Sequence, residues 1–99
     1  DPTNRKLVSI ASCWEIAIKA ALGKLTLGEP SRDFLRREIA TNNFELLAIS
    51  LDHATHVQTL PAHHNDPFDR LLIAQALLED IAIVSNDATF DAYGVRRSW

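Results

Sequence analysis

Short apolar runs alternate with stretches of helical periodicity along this chain, and that alternation leaves few architectures open. Leu7 to Ala11, Phe44 to Ile49 and Ile81 to Ser85 read as strands. The third, short and apolar, has the pattern of a strand covered on both faces of a parallel sheet. Between the first two, Ser12 is expected to open a helix with Trp14, Ala17, Ile18, Ala21 and Leu22 on one face, stopped by Gly23. Ser31 is expected to cap another reaching about Ala40, with Phe34, Leu35 and Ile39 inward, Arg32, Arg36 and Arg37 solvated, and Thr41 to Asn43 breaking it. A third helix starts at Ser50 and carries Leu51, Ala54, Val57 and Leu60 up to Pro61. After the polar loop Pro61 to Asn65, Asp66 and Pro67 form a strong helix start, continued by Phe68, Leu71, Leu72, Ala76 and Leu78. Ala88 to Tyr93 reads as a last short helix ended by Gly94, and Val95 to Ser98 as a last strand. Strands and helices in this order indicate a layered α/β fold.

The bulk numbers agree with one domain. The 99 residues, 46% hydrophobic and 23% charged, suffice for a single core and leave no room for a second domain. No apolar run is long enough for a membrane span and no signal peptide is visible, so a cytoplasmic location is expected. Cys13 is the single cysteine, which excludes an internal disulfide and a multi-cysteine zinc site. Methionine is absent, so the chain reads as a fragment. A formal charge of -3 gives no long-range attraction to nucleic acid, and a polyanionic substrate would need local bases or bound metal.

Against that background three acidic residues stand out. Glu15, Asp69 and Asp87 each fall where a strand or loop is expected to give way to a helix. In an open α/β sheet this is the crevice beyond the carboxyl ends of the strands, where ligands bind. Clustered carboxylates repel one another, and a hard divalent cation relieves the repulsion. Each acid also has a purely structural explanation. Ser12 with Glu15 has the spacing of a capping box, Asp66 with Asp69 resembles one, and Asp87 follows Asn86 in a turn. The joint placement favours a metal site, and the helix macrodipole makes the two readings compatible.

Other polar residues point less clearly. Lys19 lies one helical turn after Glu15, placed for an ion pair or for a phosphate contact. Lys24, Arg70, Arg96 and Arg97 fit either solvated surface or RNA backbone. His63 and His64 lack a second cluster with zinc spacing, Gly23-Lys24 is no phosphate loop, and no Ser-His-Asp order is arguable. Trp14, Phe34, Phe44, Phe68 and Phe90 read as core or interface.

Three stretches carry a family resemblance. They are Ser9-x-x-Ser12-x-Trp14-Glu15-Ile16-x-Ile18-Lys19 with Gly23-Lys24-Leu25, Asp66-Pro67-Phe68-Asp69-Arg70-Leu71-Leu72-Ile73-Ala74-Gln75-Ala76, and Ile83-Val84-Ser85-Asn86-Asp87-x-x-Phe90. Together, and in this order, they closely resemble the PIN-domain family in its VapC-like toxin branch. The resemblance implies a three-layer fold with a parallel central sheet flanked by helices. It also implies an endoribonuclease using Mg²⁺ or Mn²⁺, a homodimer, and a cognate antitoxin protein that blocks the site. Matched position by position, Glu15, Asp69 and Asp87 correspond to the family's second, third and fourth acids. Asp69 and Asp87 would then hold the metal, with Glu15 binding directly or through water; Asp66 is a candidate outer-shell acceptor, and Lys19 and Arg70 are candidate RNA contacts. The first acid, at the end of an N-terminal strand, has no counterpart, so residues 1 to 99 alone are expected to lack that strand and to show low or no activity. The alternative is a PIN-like scaffold that holds RNA or a protein without cutting.

Overall fold

The computed structural model describes residues 6–63, 65–81, 83–84 and 97–98, the last four by backbone path alone. Two compact units divide the chain, one through Ala48 and one from Ile49.

The first unit opens with strand β1 (Leu7–Ser9), which runs directly into helix α1 (Ile10–Ala21). The sequence placed this boundary three residues too late. Ser9, not Ser12, is the N-cap: its extended backbone ends the strand, and its hydroxyl oxygen accepts from the Ala11 N–H at 3.0 Å. Such a cap satisfies one of the donors that a helix start leaves open. At the other end Gly23 takes a left-handed conformation, φ +74. Its N–H donates to the Ala20 carbonyl and that of Lys24 to the Lys19 carbonyl, the paired bonds of a Schellman motif.

Helix α2 (Ser31–Thr41) follows a short connection. Pro30 occupies the N-cap position without a side-chain bond, so Ser31 is the first helical residue rather than the cap. Its end repeats the Schellman pattern with Asn43 in the left-handed role, φ 56, and with bonds from Asn43 to Ala40 and Phe44 to Ile39. The chain then enters β2 (Glu45–Leu47), shorter than the apolar run around it, which lies parallel to β1 with Leu7 opposite Glu45 and Ser9 opposite Leu47. Parallel neighbours require a crossover, here α1 and α2, which pack against each other while α1 also packs on β1. Phe34, Leu35 and Ile39 are half-buried, and Arg32, Arg36 and Arg37 are exposed as their spacing suggests. Trp14, read as core or interface, is 57% exposed and so lies outside the core.

The second unit begins with α3 (Leu51–His56), extended by a 3-10 turn (Val57–Thr59) and followed by α4 (Pro67–Glu79). Ser50 caps α3 as its sequence suggests, and of the apolar residues read on this face Val57 and Leu60 pack inward while Leu51 and Ala54 do not. Leu51 is 78% exposed, and the residue that turns inward is His53, at 3%. In α4 the burial is continuous over Ile73, Ala74, Gln75 and Ala76, whereas Leu78 is exposed. Leu60, Ile73, Ala74 and Ala76 form the buried cluster, with Val57, Leu77 and Ile81 packed against it. The α4 end holds Asp80 in the left-handed region, and the Ile81 N–H still reaches the Ala76 carbonyl at 3.1 Å, which delays the next strand. That strand, β3 (Ile83–Val84), pairs in parallel with β4 (Arg97–Ser98), Ile83 opposite Arg97. Both described strand pairs are parallel. Residues 88–93, read as a short helix, lie outside the described residues.

Candidate functional site

Asp69 is positioned by the construction of the α4 N-terminus. Asp66 is the N-cap, and its Oδ1 accepts from the Phe68 N–H at 2.8 Å and from the Asp69 N–H at 3.2 Å. Pro67, at the first helical position, has no N–H to satisfy, and its fixed φ suits the helix. The half-buried Asp69 therefore stands in the first turn, where the unpaired amide dipoles favour a negative charge. Asp66 serves the helix as a cap.

Arg70, the next residue, turns its guanidinium to the backbone. Its Nη2 donates to the carbonyls of Val57 at 3.0 Å and Leu60 at 3.3 Å, and its Nη1 donates to that of Pro61 at 3.0 Å. A side chain read as solvated surface or as an RNA contact is thus engaged in holding the end of the 3-10 turn.

Glu15 sits deeper in its helix than its sequence context implied. With Ser9 as the cap, Ser12 lies inside the first turn and Glu15 in the second, so the Ser12/Glu15 capping box does not form. Glu15 is half-buried, and its carboxylate accepts from Lys19 at 3.3 Å, the expected one-turn pair. With Lys19 itself half exposed, this pair adds little to stability. Asp87 lies outside the described residues, as do His64, Phe90 and Arg96; Arg97 is described by its backbone only. His63 is exposed.

Carboxylate oxygens are the donors that hard divalent cations take, so Glu15 and Asp69 suit such an ion chemically. Among the described residues no three His, Cys, Asp or Glu side chains stand together as a cation site. Glu15 belongs to the first unit and Asp69 to the second.

Sequence reading missed a polar cluster between α3 and α4. The Ser50 hydroxyl accepts from the His53 N–H, and the Ser50 N–H donates to His53 Nδ1, both at 3.0 Å, completing a capping box with histidine in the place of the usual Glu or Gln. Gln75, 1% exposed, brings its side-chain amide to 3.3 Å from the same Nδ1. Two donors on Nδ1 place the ring proton on Nε2, which donates to Glu79 at 2.9 Å. The Ser50-x-x-His53 spacing was the available signal.

Two further groups have shifted acidities. Burial pushes the Cys13 thiol up, making it a poorer thiolate nucleophile. Glu29 is held below the usual carboxylate range by its hydrogen bonds from Arg37, two at 2.7 Å.

The model of the PIN domain family matches residues 2–95. The chain belongs to the PIN domain family, and its parallel strand pairs and intervening helices are those of an α/β PIN-like fold. PIN domains are generally nucleases and typically use divalent metal ions. Among proteins with curated descriptions, none matches this chain. No helix among the described residues is long and apolar enough to cross a membrane.

Proposed function

We propose that this chain is the nuclease part of a divalent-metal-dependent endoribonuclease of the VapC-like kind, the toxin of a toxin–antitoxin pair. The observation that carries the proposal is the family match over residues 2–95, which takes in Glu15, Asp69 and Asp87 within the three motif stretches. The α4 N-terminus supports it, since Asp66 caps the helix and leaves Asp69 in the first turn. Freed of a capping duty, Glu15 also loses its main structural explanation.

In this reading Asp69 and Asp87 hold Mg²⁺ or Mn²⁺, and Glu15 contributes directly or through water. A divalent ion there supplies Lewis acidity, which lowers the pKa of a water and offsets charge on the phosphodiester. The chain's own part is to hold the carboxylates where the ion can take them. The formal charge of -3 makes the ion the main attraction for the RNA phosphate. A homodimer and an antitoxin that covers the acidic residues complete the proposal.

Titration of the protein with Mn²⁺ tests the metal site. Saturable binding that is lost in Asp69→Asn and Asp87→Asn is expected, together with EDTA-sensitive cleavage of RNA by the protein that carries the whole ligand set. Mn²⁺ binding that survives both substitutions would remove the proposal.

A further inference from the structure

We propose that Arg70 is a positioning residue for Asp69, clamping the segment before α4 so that the metal-facing carboxylate keeps one orientation; this rests on Asp69 being a metal ligand. The geometry points there because Arg70 is adjacent to Asp69 in the first turns of α4 and its guanidinium gathers the carbonyls of Val57, Leu60 and Pro61. Leu60 is itself anchored in the buried cluster with Ile73. The connection from Pro61 to Asp66 is therefore tied to α4 at both ends, by Arg70 at its start and by the Asp66 cap at its finish. Asp69 stands between the cap residue and the clamp residue. A helix start frays unless its groups are held, and a ligand carried there would sample several orientations without such ties.

Arginine is the residue suited to this duty. Its planar fork presents five donors at fixed angles and can serve several carbonyls at once, whereas lysine offers a compact charge on a flexible stem. An arginine that bound RNA phosphate would turn its fork outward instead. The clamp also differs in kind from the His53 cluster, which joins α3 to Gln75 and Glu79 in the later turns of α4, remote in sequence from Asp69.

Arg70→Lys tests the proposal, with three readouts on the whole protein: Mn²⁺ affinity, affinity for a fluorescein-labelled single-stranded RNA in EDTA, and thermal midpoint. The expected result is Mn²⁺ affinity weakened roughly 10-fold or more, as for residues that orient metal ligands from outside the coordination sphere, with RNA affinity unchanged. His53→Ala, which loosens the α3–α4 contact elsewhere, should leave Mn²⁺ affinity as it was. A loss of RNA affinity with Mn²⁺ binding intact would make Arg70 a phosphate contact and overturn the proposal. Equal Mn²⁺ losses in Arg70→Lys and His53→Ala, or a lowered midpoint with Mn²⁺ affinity unchanged, would reduce it to general stabilisation. Should Arg70→Lys not fold, hydrogen exchange of the unaltered protein decides: Mn²⁺ must slow amide exchange in residues 57–60, and unchanged exchange there overturns the clamp. Asp69→Asn separates the two levels. If it leaves Mn²⁺ affinity intact the ligand reading fails, whereas if it abolishes binding and Arg70→Lys has no effect, only the positioning role fails.

Discussion

At the scale of single residues, neighbouring charged side chains do different work. Asp66 and Asp69 are three apart and chemically alike, yet one bonds the helix amides and the other stands in the first turn they open. Asp66→Ala should cost about 1 kcal/mol, the usual loss for a removed N-cap, read as a lower urea midpoint. Glu29 and Arg37 give a second prediction. The carboxyl of Glu29 lies below its ordinary value because Arg37 hydrogen-bonds it and, secondarily, attracts its charge. A folded-state value below the unfolded one contributes stability that is present above the unfolded pKa and is lost as pH falls through the folded one. Arg37→Gln should therefore raise the Glu29 midpoint in an NMR carboxyl titration, and an unmoved midpoint would mean that the pair does not persist in solution. Asp66 as a helix start and Lys19 as the partner of Glu15 were legible, because both follow from spacing within one helix. The use of Arg70 was not, since its carbonyl partners lie 9 to 13 residues upstream and backbone acceptors carry no residue signature.

At the scale of elements, the sequence located segments better than their faces. Helix stops at Gly23 and Asn43 were readable because a left-handed residue is required there. Space around Gly23 is open, so Gly23→Ala loses only conformational ease, about 1–2 kcal/mol for an L-residue in that region, measurable by chemical denaturation. The start of α3 was misread because Leu51 looks like a core residue by type, whereas His53 is buried by virtue of four polar neighbours, the Ser50 hydroxyl and amide, Gln75 and Glu79. Likewise Gln75 resembles a surface position until His53 is opposite it. His53→Ala should destabilise the protein by about 1–3 kcal/mol, because the buried Gln75 amide and the part-buried Ser50 N–H lose this acceptor. A change near zero in urea denaturation would show that water replaces the ring. The start of α1 was misplaced for a related reason: Ser9 and Ser12 are both good caps in sequence, and only the end of the parallel pairing with β2 selects Ser9.

At the scale of the whole molecule, alternating strand and helix signals sufficed for an α/β class, and the ordered motifs sufficed for the family. That Glu15, Asp69 and Asp87 come together is a proposal from their shared position after strands and loops, a topological argument that single-helix spacing cannot supply. The structure relieves Glu15 of capping and leaves Asp69 in a first turn, both in keeping with ligand roles. On the function proposed above, these three carboxylates share one cation. Substoichiometric Mn²⁺ added to isotopically labelled protein tests it directly, because the paramagnetic ion broadens only the signals near it. If the carboxylates share it, Glu15, Asp69 and Asp87 broaden together, ahead of Asp33, Asp52 and Glu29. Broadening confined to one of the three, or spread evenly over the surface acids, would contradict it.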